Sequence, residues 1–357
     1  MTINLNKYFI IIKRGNILYF INKMFKINER VKDTIGLQNN QFNSKINVLT
    51  NFNHNKKIIF IVFCLFSICY YSFQNFENDI VNIKKKDIIY YDKYEVNIYD
   101  KIRAKLKEVR CSEMWGNQHE FLNGIIRKHK PKKILEIGVR HGGSSIIILN
   151  AIDDYKDSKL YSIDISSSEK LGNCVFDYFP QFINKWKLFK GNMAYDYMEI
   201  IGNNIDMVLI DTAHFEPGEI LDFLIVLPFL KEEAIVIFHD IANQITRSFD
   251  RNEWAPYIIF NAVRGEKHLP SGKNILLHDI GAVVLEKDQI KYYHDYFRLL
   301  GGQWQYFPKE KHISQLLNYF SKYYDNDCLS MFNETVKFNR NFVKKNPKNI
   351  LYRENID

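Results

Sequence analysis

The stretch Lys132–Ser145, KKILEIGVRHGGSS, constrains this chain more than any other: an apolar run stops in a glycine-bearing turn and resumes as a second apolar run. Ile134, Leu135, Ile137 and Val139 suit a strand buried on both faces. The following SSIIILNAI is too long and continuous for an edge strand, so it reads as a helix. Gly138 and Gly142 carry no Cβ, which permits left-handed backbone angles and close approach of a ligand. The free N–H groups at the helix start, beginning at Gly143 and Ser144, would face a polar or anionic group lying over the turn.

Carboxylates farther along fall at matching places. LYSIDI ends in Asp164, at the distance expected of an acid that takes two ribose hydroxyls in a doubly wound nucleotide site. IDMVLID ends in Asp211, and AIVIFHD ends in His239 and Asp240. With KWKLFKGN these strands alternate with helical stretches, the pattern of a parallel sheet covered on both faces. NILLHDI and GAVVLE, within 274–286, predict two more strands. The long insertion between, Ile241 to Gly272, is where a substrate lid is expected. The fold class is therefore α/β, Rossmann-like and doubly wound.

EIGVRHGG resembles the acidic-x-Gly-x-x-x-Gly motif of class I S-adenosylmethionine (SAM)-dependent methyltransferases, with Glu136, Gly138 and Gly142 in the motif positions. It departs from the dinucleotide pattern G-x-G-x-x-G, which disfavours NAD. DTAHFEPGEILDFLIVLPFLKEEAIVIFHDI is similar to a subfamily of sugar O-methyltransferases and cephalosporin-hydroxylase-like proteins, through Asp211-x-x-His214 and His239–Asp240. The resemblance spans roughly 114–285. It implies a seven-stranded, mostly parallel sheet with an antiparallel last strand, and SAM as cofactor. The glycine turn, with Glu136, Gly143 and Ser144, would hold the methionine part. Asp164 would take the ribose, and the Gly191, Asn192, Met193 stretch the adenine side, with Gln118 over the cofactor. His214 would act as base beside Asp211 and Asp240. Magnesium, if used, would sit on Asp211, His239 and Asp240, although His239 departs from the hard-oxygen preference of that ion.

Other roles stand beside these. Glu136 could pair with Arg140, Asp164 could cap the chain at Ser166, and His214 could bond Glu216 or Glu219. The implied acceptor is a small hydroxylated molecule such as a sugar of a surface glycan. The rival readings are a membrane-tethered module that binds without catalysing, and an NAD-dependent oxidoreductase.

Charge is unevenly placed. Residues 1–57 hold ten Lys and Arg against Glu29 and Asp33, a balance of 10 − 2 = +8 that equals the whole chain's net charge. The remainder balances to zero and offers no basic field for nucleic acid. The arm's patches YFIIIK and ILYFINKMF suit either a surface-lying amphipathic helix or a disordered arm. Next comes an uncharged run, Ile58 to Phe73, a candidate membrane anchor. A helical spacer is expected over 74–112, the methyltransferase domain over 113–290, and a helical extension over 291–357. Five scattered cysteines with no paired spacing imply free thiols in a reducing compartment. Because SAM is made in the cytosol, the sequence alone favours a membrane-associated protein whose catalytic domain faces the cytoplasm.

Overall fold

The computed structural model describes residues 2–5, 8–11, 88–91, 94–242, 253–271 and 278–345. The chain divides into two compact units, 1–83 and 84–357. In the first, β1 (Thr2–Leu5) and β2 (Tyr8–Ile11) form an antiparallel pair, where the sequence suggested a helix or a disordered arm. The candidate anchor 58–73 lies outside the described residues. Among those described, no helix is long and apolar enough to cross a membrane.

The second unit is built on one eight-stranded sheet. Its strands are β3 (Ile88–Tyr91), β4 (Lys133–Ile137), β5 (Lys159–Asp164), β6 (Trp186–Lys190), β7 (Ile205–Ile210), β8 (Leu230–His239), β9 (Gly265–Pro270) and β10 (Ile280–Leu285), in the spatial order β6-β5-β4-β7-β8-β10-β9-β3. Strands β4 to β8 run parallel and β10 is antiparallel to β8. From β6 to β9 this is the expected seven-stranded arrangement with its reversed last strand. The order reverses between β4 and β7, which opens a crevice at their carboxyl ends.

Two strands differ from expectation. The sixth core strand is β9, GEKHLP, which lies inside the stretch read as a lid; of NILLHDI, 274–277 lie outside the described residues and 278–279 are not strand. Its Glu266-Lys267-His268 sequence lacks an apolar run, because β9 sits near the sheet edge between β10 and β3. The spacer supplies β3 as an eighth, edge strand.

Helices cover both faces. On one side α1 (Val96–Val109), α2 (Gly116–His129) and α3 (Gly143–Ala151) bury Leu106, Phe121, Leu122, Ile125 and Ile126 together with Ile146 and Ile147. A short helix, α4 (Asn173–Tyr178), joins them. On the other side lie α5 (Gly218–Val226), α6 (Ala255–Ala262), α7 (Tyr293–Leu299), α8 (Glu310–Phe320) and α9 (Asn326–Lys345). Trp304, Leu316, Phe320 and Phe332 of the C-terminal part share one core with Phe223 and Phe238. Tyr319 donates a hydrogen bond to the Ile225 carbonyl at 2.7 Å, and Asn339 accepts one from Trp304 N at 2.8 Å. The expected extension is thus packed into the domain.

The cysteine reading is corrected. Cys111 and Cys174, both buried, form a disulfide between the α1–α2 loop and α4. Sixty-three positions separate them, and the sheet brings them together. Spacing along the chain gave no sign of the pairing.

Candidate active site

The glycine turn sits at the carboxyl end of β4 with neighbours too close for any side chain. Gly138 has φ +89°, and a Cβ there would lie 1.8 Å from the Asp211 carbonyl oxygen. Gly142 also has φ +89°. A Cβ on Gly143 would come within 2.6 Å of the Cys111 carbonyl oxygen. The α1–α2 loop therefore lies directly on the start of α3. That loop is pinned from behind, where Ser112 Oγ hydrogen-bonds His119 Nε2 and Tyr99 OH bonds His119 Nδ1, each at 2.8 Å. Burial, with the nearby charges of His239 and Arg103, lowers His119 to about 4, so it is a neutral strut.

The predicted cofactor residues divide between the cavity wall and the layer behind it. Gly138, Gly143, Ser144, Asp164 and Asn192 line a cavity of about 620 Å³ at the carboxyl ends of the strands. Asp164 also braces the turn: Oδ2 accepts from Val139 N at 2.9 Å and Arg140 N at 3.1 Å, and Oδ1 accepts from Ser166 N at 2.8 Å. Its expected capping role is thus present alongside its place in the cavity. Glu136 is not in the lining. It is fully buried beneath the turn, where Ser144, Ser145 and Ser162 each donate to it at 2.6 Å. Burial outweighs those three hydrogen bonds and pushes its carboxyl up to about 7. Gly142 and Gly191 shape the backbone behind the wall, both at φ +89°. Gln118 is buried in a capping box at the start of α2, accepting from Trp115 N, and does not reach the cavity.

On the acceptor side Asp211, His214, His239 and Asp240 all line the same cavity. His214 is held at both ring nitrogens, by Asp240 Oδ2 at 3.0 Å and Glu219 Oε1 at 3.1 Å. His239 Nδ1 lies 3.1 Å from Asp240 Oδ2 and 3.4 Å from Asp211 Oδ1. Burial alone would lower both imidazoles, yet the carboxylates carry His214 up to about 11 and His239 up to about 10. Asp240 is buried, which would raise it, but the two imidazoles hold it far below the usual carboxylate range. His214 and Asp240 have φ of 59° and 56°, left-handed angles that cost non-glycine residues energy and that only the surrounding contacts maintain.

The donors suit a divalent cation. Asp211, His214 and Asp240 offer ligand atoms all within 4.8 Å of one another. The His239 ring nitrogens and Glu219 Oε2 are buried without an aligned hydrogen bond. A set of imidazoles and carboxylates fits zinc, manganese or iron better than magnesium.

Sequence reasoning missed the outer wall. Tyr306, Phe307, Lys309 and His312, from the α7–α8 loop and α8, line the cavity with Asp222 of α5. Tyr195 OH donates to Gln315 Oε1 at 3.0 Å and contacts His312 Nδ1 at 2.9 Å, fastening α8 to the turn that follows β6. Asp222 accepts from Thr212 Oγ1 at 2.8 Å, and burial pushes it up to about 7 although part of it opens on the cavity. None of the described residues of the expected lid, 241–242 and 253–271, borders the cavity. The missed signal was GGQWQYFP, an aromatic cluster just after a glycine pair.

Residues 135–241 match a family model described as a methyltransferase domain. That match, the seven-strand order and the glycine turn place a methyltransferase domain of the Rossmann-like fold at the core of this chain. A search of curated proteins found no match. Among solved structures, an O-methyltransferase from Bacillus cereus in complex with SAH is similar at 16% identity over 53% of this chain and 90% of its own, with a TM-score of 0.40. TomG, an O-methyltransferase from Streptomyces achromogenes in complex with SAM, aligns at 17% identity over 55% and 92%, with the same TM-score. PaMTH1 from Podospora anserina, bound to SAH, aligns at 15% over 60% and 96%, again at 0.40. Likeness at this level is too slight to bear on the acceptor.

Proposed function

We propose that the chain transfers the methyl group of SAM to a hydroxyl oxygen of a small acceptor, most fittingly a sugar, and that residues 58–73 tether it to a membrane. One observation carries the reading: the glycine turn and the Asp211–His214–His239–Asp240 cluster open on the same cavity. Methyl transfer to oxygen is an in-line displacement, so holding donor and acceptor aligned supplies much of the acceleration. The hydroxyl must also lose its proton. His214, bonded at both nitrogens and positively charged, is a poor base; it instead fixes Asp240 and favours negative charge nearby. Asp211 offers the carboxylate oxygen placed to take the proton, with Asp240 committed to the two imidazoles beside it. A divalent cation held by Asp211, His214 and Asp240 would take the place of the proton on His214 and, when bound, would make the hydroxyl more acidic. Tyr306 and Phe307 line the same cavity as the carboxylates, a combination of residue types suited to a sugar ring.

The test is label transfer from methyl-labelled SAM to a panel of sugars and phenols, with and without chelator. The expected result is a labelled sugar ether, lost in Asp211→Ala and Asp240→Ala. Full turnover in both variants, or SAM binding with no hydroxyl ever labelled, would overturn it.

A further inference from the structure

Two features outside the methyl-transfer chemistry agree with each other. The first is the Cys111–Cys174 disulfide. Cys111 belongs to the loop that lies on the start of α3 and borders the cavity. Cys174 lies in the first turn of α4, whose approach is set by the glycine turn: Gly172 N donates to the Arg140 carbonyl at 2.7 Å and Cys174 N to the His141 carbonyl at 3.1 Å. The bond therefore ties together the two walls that flank the glycine turn. Disulfides persist in oxidising compartments and are rare where glutathione keeps thiols reduced.

The second feature is Asn333–Glu334–Thr335, the one Asn-x-Ser/Thr triplet in the whole sequence. It falls on α9, where Phe332, Val336 and Asn339 face the core while Asn333 and Glu334 are exposed. The amide is thus presented outward, as an N-linked glycan requires. The sequence ahead of the domain does not oppose this: Lys56 and Lys57 precede the uncharged run Ile58–Phe73 and Lys84, Lys85 and Lys86 follow it, so charge alone does not set the side on which the domain lies.

We propose that the methyltransferase domain works in an oxidising compartment beyond the membrane, where Cys111 and Cys174 are joined and Asn333 carries an N-linked glycan. This orientation is opposite to the cytoplasm-facing one suggested by the sequence alone. Closing the disulfide removes two protons and two electrons from the thiols, taken up through exchange by a protein disulfide donor. In the second reaction a C–N bond forms between Asn333 Nδ2 and the anomeric carbon of a polyprenyl-pyrophosphate oligosaccharide. The sugar–pyrophosphate C–O bond breaks, and the amide gives up one proton. The methyl acceptor would then share that compartment, and SAM would have to be carried into it. Neither modification depends on the methyl-acceptor reading.

The test is expression of the full chain in a eukaryotic cell with a secretory pathway, read by glycosidase treatment and by peptide mapping after alkylation without reduction. A single glycosidase-sensitive mobility step is expected, absent from Asn333→Gln and from Thr335→Ala, together with recovery of the Cys111 and Cys174 peptides as one joined species. SAM affinity of Asn333→Gln should stay within twofold of the parent, showing that the lost step is not misfolding. No mobility step with both cysteines alkylated overturns the proposal. Joined cysteines without a glycan overturn the Asn333 assignment, and a glycan with alkylated cysteines overturns the disulfide half.

Discussion

The two halves of the cavity are built on different principles. The cofactor half, at the ends of β4 and β5, is made of backbone and short hydrogen bonds among β4, β5 and the start of α3: glycines that admit no side chain, Asp164 bracing the turn, and Glu136 gripped by three serines. The acceptor half, at the ends of β7 and β8, is an alternation of imidazoles and carboxylates closed by a wall contributed some ninety residues later. One half is rigid because the chain has no alternative path there. The other is held by charges that need one another, and removing one member unbalances the rest.

That contrast predicts where damage is greatest. Asp240→Asn removes the group both histidines share, so turnover should fall by about 10²- to 10⁴-fold. His214 and His239 should then titrate closer to the ordinary histidine range, which NMR would register; unchanged histidine titration would break the picture of a mutually supported cluster. The staple on the cofactor side is a matter of stability. Replacing Cys111 and Cys174 together by serine should cost about 4 kcal/mol in denaturant unfolding, from loop-closure entropy alone.

Glu136 sharpens the comparison through pH. Its folded-state carboxyl, at about 7, lies above its ordinary 4.5, so the folded protein holds that proton more tightly than the unfolded chain. The resulting stability is fully present below about 4.5 and is lost as pH rises through 7, a change of roughly 3 kcal/mol. Thermal unfolding of Glu136→Gln across this range should show a shallower decline than the parent; parallel curves would mean that the buried carboxyl is not protonated as described. The smallest effect belongs to the outer wall. Phe307→Ala should raise the acceptor KM by about tenfold, or about 1.4 kcal/mol, while SAM affinity is unchanged. A matching loss of SAM affinity would show that the two halves are not separable.

Legibility in the sequence followed the same division. The turn, the five parallel core strands and the acids at their tips could be read because each is dictated by local features: an apolar run, a glycine, an acid at its end. Side-chain direction was harder. Glu136 stands in a motif position yet points beneath the turn, and Gln118 caps its own helix. Glu219 is among the partners the sequence suggests for His214, but nothing in Asp-x-x-His reveals that Asp240 takes the other nitrogen. Strand β9 was hidden by its polar composition. The Phe307 wall and the Cys111–Cys174 bond join segments far apart in sequence, and only the folded sheet brings them together.

The central claim is that the turn at Gly138 holds SAM at one end of a cavity shared with the acceptor cluster. Calorimetric titration of SAM into the parent and into Gly138→Ala tests it most directly, because a Cβ at this position would lie 1.8 Å from the Asp211 carbonyl oxygen. One saturable site per chain is expected in the parent and none measurable in the variant. Equal binding by both proteins, or no heat from the parent, would contradict it.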